Sequence, residues 1–285
     1  MKRVCPLLER ETRSHTLDIA PPPWIVRECE ESGMVFLENP PGYEPLNDEL
    51  AWEVTYAREV EARKAAEPAL YAMSTAAKRF RRRVLKRHKV ADMATELVRG
   101  SASPEIRLLD LGCGDGDLLG IVMDRLDGEA RRRCRPHGIE ISQELARRSD
   151  AALAPLGGRC VHAPALQGLA GFPDGFFDLI VMSSFLEHEI QPLPLLREAR
   201  RALRGGGRVL VKVPNYASWN RRLRGVRWCG YRWPDHVNYF TPATLSAMAG
   251  AAGLLVERMN AFDRFPLSDS LYAVLARPAD GSAAR

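Results

Sequence analysis

From residue 106 onward, short apolar runs alternate with stretches in which apolar residues recur every three or four positions, and the two periods predict strands and helices in turn. The run Ile106–Leu111 has the length and composition of a strand buried on both faces, and Leu118–Leu126 continues at helical spacing. His137 to Ile139 form a second, short apolar segment that ends in Glu140 and is followed by Ser142, a capping residue. Phe176–Met182 is the next strand. Leu195–Leu203 reads as an amphipathic helix stopped by Gly205-Gly206-Gly207, and Arg208–Val213 as a strand closed by Pro214-Asn215. A helix over Pro242–Gly250 and strands over Leu254–Met259 and Leu271–Ala276 complete the series. Strands alternating with helices in this order predict an α/β, doubly wound sheet.

The first hundred residues follow a different pattern. Pro21-Pro22-Pro23 precedes short β-like stretches at Trp24–Val26 and Met34–Leu37, which predict a hairpin held by Trp24, Val35 and Phe36, and Asn39-Pro40-Pro41-Gly42 breaks the chain. Asp48 to about Leu97 is helical in pattern, with Pro68 dividing it. The expected organisation is an N-terminal hairpin and helical region over residues 1–97, one α/β domain over 98–278 with an insertion at about 215–240, and a disordered tail over 279–285.

A chain of 285 residues that is 46% hydrophobic buries one large core and a small appendage. No apolar run approaches the roughly 20 residues of a membrane span, and Met1–Pro6 lacks a secretory apolar stretch, so a cytoplasmic protein is expected. Six scattered cysteines do not form a disulfide framework, and reduced thiols are the expectation. The net charge of +5 is modest, with much of the excess in Lys78–Lys89. Two readings of that run stand: a grip on phosphates or an anionic surface, or an amphipathic helix that packs through Phe80, Val84 and Leu85 and leaves a solvated basic face.

Chemistry concentrates where the first α/β strand meets a turn, Asp110-Leu111-Gly112-Cys113-Gly114-Asp115-Gly116-Asp117. Glycines at 112, 114 and 116 depart from the dinucleotide fingerprint, whose third glycine stands three residues after the second. Carboxylates at 110, 115 and 117 repel a pyrophosphate and suit a ligand bearing an ammonium and a sulfonium. This D-x-G-x-G-x-G pattern, the acid Glu140 after the second strand, Phe177-Asp178-Leu179-Ile180, Leu186-Glu187-His188, the Leu196–Gly207 segment and Val213-Pro214-Asn215 resemble, in order, the landmarks of the class I S-adenosylmethionine-dependent methyltransferases, of the ubiquinone and bacterial methyltransferase-23 kind.

The resemblance implies a Rossmann-like seven-stranded sheet, six strands parallel and one antiparallel, with the N-terminal hairpin and helical extension beside it. It implies S-adenosyl-L-methionine as cofactor, held by Asp110, Gly112, Cys113, Gly114, Gly116, Glu140, Ile141, Ala165, Leu166 and Ser183, with Glu140 accepting the ribose hydroxyls. Cys113 reads as a small filler rather than a nucleophile. Relatives often place an aspartate after the third strand for the adenine amino group; this chain has Val161-His162-Ala163-Pro164-Ala165-Leu166 there, so main-chain and apolar contacts are expected instead. Cys5 and Cys29 stand where some relatives carry two C-x-x-C knuckles, but each pair has lost its second cysteine, so no zinc is expected.

Methyl transfer needs the acceptor held in line with the activated carbon, and a base only where the acceptor must lose a proton. His188 and His236 are the candidate catalytic residues, and each also has a structural reading: His188 as a brace for the next helix, His236 as an anchor for its loop through Asp235. The insertion interleaves Trp219, Trp228, Tyr231, Trp233, Tyr239 and Phe240 with Arg221, Arg222, Arg224, Arg227 and Arg232, which suits a flat, anionic or sugar acceptor, or a cover over other elements. The expected reaction is O-methylation of a small metabolite or saccharide. Two alternatives stand beside it: a metal-dependent RNA 2′-O-methyltransferase, because Glu187-His188 with His236 resembles part of an E-x-x-E-H plus D-H pattern, with Ser184 in place of the first acid, and a non-catalytic cofactor-binding subunit.

Overall fold

The structure is a computed structural model that describes residues 2–41 and 88–279, with seven further helical positions between Glu61 and Ala76. Pro68, expected to divide the helical stretch, is one of these helical positions; the rest of that stretch before His88, the basic run Lys78–Arg87 and the tail from Asp280 lie outside the described residues.

Seven strands form the main sheet: β4 (Ile106–Leu111), β5 (Cys134–Glu140), β6 (Arg159–His162), β7 (Phe177–Ser183), β8 (Leu203–Pro214), β10 (Leu255–Arg258) and β11 (Ser270–Ala276). Their order is β10-β11-β8-β7-β4-β5-β6, and β11 runs antiparallel to both neighbours, leaving six strands in one direction. This is the expected Rossmann-like sheet. β4 lies in the sheet's interior, and its apolar side chains serve both faces: Leu109 and Leu111 join one core, Ile106 and Leu108 the other. Helices α1 (Lys89–Arg99) and α2 (Asp117–Arg125) cover the second face through Val90, Met93, Val98, Leu119 and Val122. The first face is covered by α6 (Pro192–Ala202) and α8 (Pro242–Ala251) through Leu193, Leu196, Leu245 and Met248; between these helices in the chain lie α3 (Gly128–Arg133), α4 (Gln143–Leu153), α5 (Ala165–Ala170) and α7 (Trp219–Arg224).

Several boundaries depart from the sequence expectation, among them that of β2, which is Val26–Cys29 rather than Trp24–Val26, and those of β8 and β7. β8 begins at Leu203, which pairs with Phe177, and the pairing resumes at Leu179↔Arg208, so the three glycines form an irregularity inside the strand rather than a stop before it. Ser183, expected just beyond β7, is its last residue.

The N-terminal hairpin is larger than its apolar stretches foretell. β1 (Ser14–Leu17), β2 (Val26–Cys29) and β3 (Val35–Leu37) are joined by β9 (Asn238–Tyr239) from the insertion, in the order β1-β2-β3-β9. Side chains on β3 alternate, so Val35 and Leu37 face a small core with Val26, Tyr216, Trp228 and Tyr239, while Phe36 enters the core of the main sheet. Polar bonds complete the join. Arg3 donates to the carbonyls of Val237 (2.9 Å) and Ile190 (2.8 Å) and to Asn238 Oδ1 (2.9 Å), and Asn238 Nδ2 donates to the carbonyls of Glu189 (2.6 Å) and Leu186 (3.1 Å).

Asn238 is 1% exposed, so Asn238→Ala removes one buried acceptor for the Arg3 guanidinium and a donor to two loop carbonyls. The expected loss of stability in denaturant titration is about 2–3 kcal/mol. A loss below about 0.5 kcal/mol would show that the small sheet does not hold the 186–190 loop.

Candidate functional site

The turn between β4 and α2 is shaped by three glycines with positive φ: +69° at Gly112, +56° at Gly114 and +88° at Gly116. Gly112 is required twice over, since a Cβ there would lie 2.4 Å from the Phe185 ring, and at Gly116 it would come 3.1 Å from Ser149 Oγ. The turn is tied to the neighbouring strand by the acid expected to bind ribose. Glu140 Oε2 accepts from Gly114 N–H and Oε1 from Ser142 N–H, both at 2.9 Å. A carboxylate has about four acceptor positions, so these bonds leave capacity for ligand hydroxyls.

Asp110 closes the floor of the turn and is 4% exposed. Burial pushes its carboxyl up to about 8, and the Glu140 charge adds to the rise. A cationic group placed here would relieve both effects. Ile141 borders the site through its carbonyl, 3.0 Å from His162 Nε2, which draws the loop after β6 toward the end of β5. Ala165 and Leu166 open α5 just past that loop, Ala165 buried and Leu166 half-buried. Cys113 is buried beneath the turn, its Sγ 3.3 Å from Ser149 Oγ.

The opposite wall follows β7. Ser184 takes φ +57°, rare for a side-chain-bearing residue, and its N–H donates to the Lys212 carbonyl at 2.8 Å while Lys212 Nζ donates to its hydroxyl. This sharp bend sends Phe185 over the glycine turn and Glu187-His188 inward. Main-chain N–H groups of Val237 and Asn238 donate to the Glu187 carbonyl at 2.8 and 3.0 Å, which brings the insertion's histidine alongside. His188 and His236 stand 4.7 Å apart between ring centroids at 83°.

Both histidines are fixed by backbone. His188 Nδ1 donates to the Asp235 carbonyl (2.9 Å) and His236 Nδ1 to the Gly230 carbonyl (2.8 Å); carbonyls only accept, so the proton sits on Nδ1 and the lone pair on Nε2. Burial pushes His188 down to about 4 and His236 well below its ordinary value, with Arg232 adding to both falls. Glu187 is driven the other way, up to about 7 by burial, against the pull of Lys212. Its Oε2 is buried without a hydrogen-bond partner among the described residues. One donor atom from each of Glu187, His188 and His236 lies within 4.8 Å of the others, a set able to hold a divalent cation with open positions.

The residues named from sequence therefore fall on two walls: the cofactor candidates at the ends of β4 to β7, the two histidines on the loop after β7 and the insertion. Three contributors were not anticipated: Arg3 and Asn238, which hold the 186–190 loop, and His162, which bridges to Ile141. Much of the insertion's aromatic content went elsewhere. Trp228, Tyr239 and Phe240 are buried as core, Tyr231 and Trp233 stack at 5.6 Å in half-buried positions, and Trp219 is exposed. In the N-terminal region the Cys29 thiol bonds Thr12 (3.3 Å) and the Cys5 thiol bonds Ser32 (3.4 Å), and Leu8 packs against the main core.

The raised Asp110 carboxyl has a consequence for stability. An unfolded aspartate titrates near 3.9, so between about pH 4 and 8 the native state holds the extra proton and loses stability as pH rises. Asp110→Asn removes that titration. Its stability relative to the parent is expected to climb across this window by up to about 1.4 kcal/mol per pH unit and to level off above it, read from denaturant midpoints at several pH values. Parallel pH profiles would contradict the assignment.

Comparison with known proteins agrees with this geometry. Residues 76–258 match a family described as a methyltransferase domain. The chain is similar to the ubiquinone biosynthesis O-methyltransferase of Aeromonas salmonicida (strain A449), at 30% identity over 181 residues that make up 57% of this chain and 68% of that protein. It is also similar to the bifunctional methionine biosynthesis protein MetXA/MetW of Rhodopirellula baltica, at 33% identity over 119 residues, 41% of this chain and 18% of that one. In fold it is similar to a methyltransferase solved with the Trm112 activator of Haloferax volcanii, with a TM-score of 0.50 at 18% identity over 65% of this chain and 88% of that chain. The matched span, the sheet order and the glycine turn together establish that the chain belongs to the class I S-adenosylmethionine-dependent methyltransferases.

Proposed function

We propose that this methyltransferase methylates an oxygen of a small metabolite or saccharide, with the acceptor hydroxyl met by His188, His236 and Glu187. The observation that carries the reading is the convergence of two neutral imidazoles, each with a lone pair on Nε2, and an unpartnered Glu187 Oε2 on the loop that also covers the glycine turn. The similarity to a protein named as an O-methyltransferase supports oxygen as the acceptor atom.

The glycine turn fits S-adenosylmethionine because its left-handed backbone lies open at Gly114, where an added Cβ would meet nothing within 4 Å, and because a buried carboxyl waits at Asp110. Bound there, the cofactor supplies a methyl carbon already activated by a sulfonium. The chain's part is placement and proton handling. Asp110, Gly112, Cys113, Gly114 and Gly116 line one side of the cofactor, Glu140 and Ile141 take the ribose, Ala165 and Leu166 flank the adenine, and Ser183 closes the end of β7. Asp110 ionises against the incoming positive charge. On the opposite wall an Nε2 lone pair accepts the hydroxyl hydrogen bond and orients the oxygen in line. Glu187, pushed up to about 7, is the group in the cluster matched to receiving the proton near neutral pH.

The same cluster favours a second reading, in which Glu187, His188 and His236 would hold a divalent cation whose Lewis acidity would be available to an acceptor hydroxyl. The backbone carbonyls on both Nδ1 atoms fix the tautomers that ligation requires.

Labelling of acceptor pools with methyl-labelled cofactor is expected to mark phenolic or sugar hydroxyls; label confined to RNA or protein would overturn the acceptor class. His188→Ala and His236→Ala are each expected to lower turnover about 100-fold or more while cofactor affinity changes little. Turnover within about threefold of the parent would remove the histidines from the chemistry. Loss of activity on chelation, restored by one divalent cation and accompanied by bound metal that His236→Ala lacks, selects the second reading; activity indifferent to chelation selects the first.

A further inference from the structure

Beneath the cofactor turn, one thiol of the turn meets a thiol from the sheet. Cys113 follows β4 in the turn, and Cys160 lies on β6, two strands away with β5 between. They touch because β5 has no side chain where they cross. Gly138 pairs with Cys160 in the sheet, and a Cβ on Gly138 would lie 2.5 Å from Cys113 Sγ and 3.1 Å from Cys160 Sγ. Across that gap the sulfurs are 3.5 Å apart. Cys113 also reaches the α4 residue Ser149, 3.3 Å from its Sγ, and Ser149 in turn backs Gly116, where an added Cβ would come within 3.1 Å. The dithiol is thus coupled to both the second and the last positions of the glycine turn. Cys160 is half-buried, whereas Cys113, 6% exposed, is sheltered.

We propose that Cys113 and Cys160 form an oxidation site, closed to a disulfide by a hydroperoxide, and that closure weakens cofactor binding. The Cys160 thiolate attacks the peroxide oxygen, the O–O bond breaks, and the departing alkoxide or hydroxide takes up the proton that Cys160 released. The sulfenic acid left on Cys160 is then displaced by Cys113: an S–S bond forms, the S–O bond breaks, and hydroxide leaves with the Cys113 proton as water. Two thiols lose two electrons and the peroxide gains them. The hydrogen bond from Cys113 holds the Cys160 thiol below its usual range, which favours Cys160 as the sulfur that reacts first.

Bond formation requires the sulfurs to close from 3.5 Å to about 2.05 Å, and with a strand between the two residues it requires the turn to move toward β6 as well as the side chains to rotate. That shift draws Cys113 toward β6 and away from Ser149, and the turn that Glu140 holds through Gly114 moves with it. A turn whose three glycines already occupy the left-handed region has few alternative conformations that keep its ligand contacts.

The test treats the full chain with hydrogen peroxide and maps non-reduced peptides by mass spectrometry, with S-adenosylmethionine affinity measured by calorimetry before treatment, after it, and after dithiothreitol. The expected result is a Cys113–Cys160 cross-linked peptide, a rise in Kd of about tenfold, and recovery on reduction. Cys160→Ala, or Cys160→Ser should alanine disturb folding, is expected to keep the untreated Kd and lose the response to peroxide. Absence of the cross-linked peptide overturns the proposal, as does a cross-link with unchanged Kd or a peroxide response that persists without Cys160. Peptide mapping reads the bond without cofactor or acceptor, so failure here is separate from failure of the acceptor assignment.

Discussion

The hydrogen bonds from Gly114 N–H and Ser142 N–H to one carboxylate, that of Glu140, are the constraint on which the rest of the cofactor side depends. A turn with three successive left-handed glycines has no intrinsic reason to stay in one conformation, and the conformational freedom that permits its shape also works against it. Glu140 supplies the restraint by clamping the turn to the end of β5. The arrangement brings a second carboxyl, Asp110, into a buried position beside the first, and like charges in a desolvated site cannot both be comfortable. The strain is electrostatic and is relieved by a ligand that brings positive charge.

Across the cleft the organising problem differs. Glu187 and His188 belong to the main sheet's loop, whereas His236 arrives from an insertion whose aromatic residues are mostly spent on their own small core. The two are brought together by main-chain bonds to the Glu187 carbonyl and by Arg3 and Asn238, which hold the 186–190 loop from behind. The N-terminal strands and β9 form one sheet, so the position of His236 is set by residues more than two hundred positions earlier in the chain. The imidazoles are neutral because they are dry and fixed because their Nδ1 atoms are engaged, which leaves both Nε2 atoms directed at shared space.

How much of this could be read in the sequence depended on whether a local pattern carried the information. The strand Ile106–Leu111 was readable to the residue because burial on both faces leaves it four apolar residues in six, and the glycine spacing distinguished a sulfonium ligand from a pyrophosphate. β1 and β9 were not readable: Ser14–Leu17 and Asn238–Tyr239 are short, partly polar, and become strands only through their partners. The types of His188 and His236 pointed to chemistry, but their adjacency across 48 positions did not show in any spacing. The insertion's aromatics were ambiguous because a small core and an acceptor cleft ask for the same residues, and burial at Trp228 and Tyr239 decided for core. Gly138 read only as part of a strand, and its role as the window between two thiols required the sheet.

The account's central claim is spatial, and a crystal structure with S-adenosylhomocysteine tests it most directly. The ribose hydroxyls are expected within hydrogen-bonding distance of Glu140 and the thioether sulfur on the side facing Glu187, His188 and His236. A ligand seated away from the glycine turn, or a sulfur turned from that cluster, would contradict it.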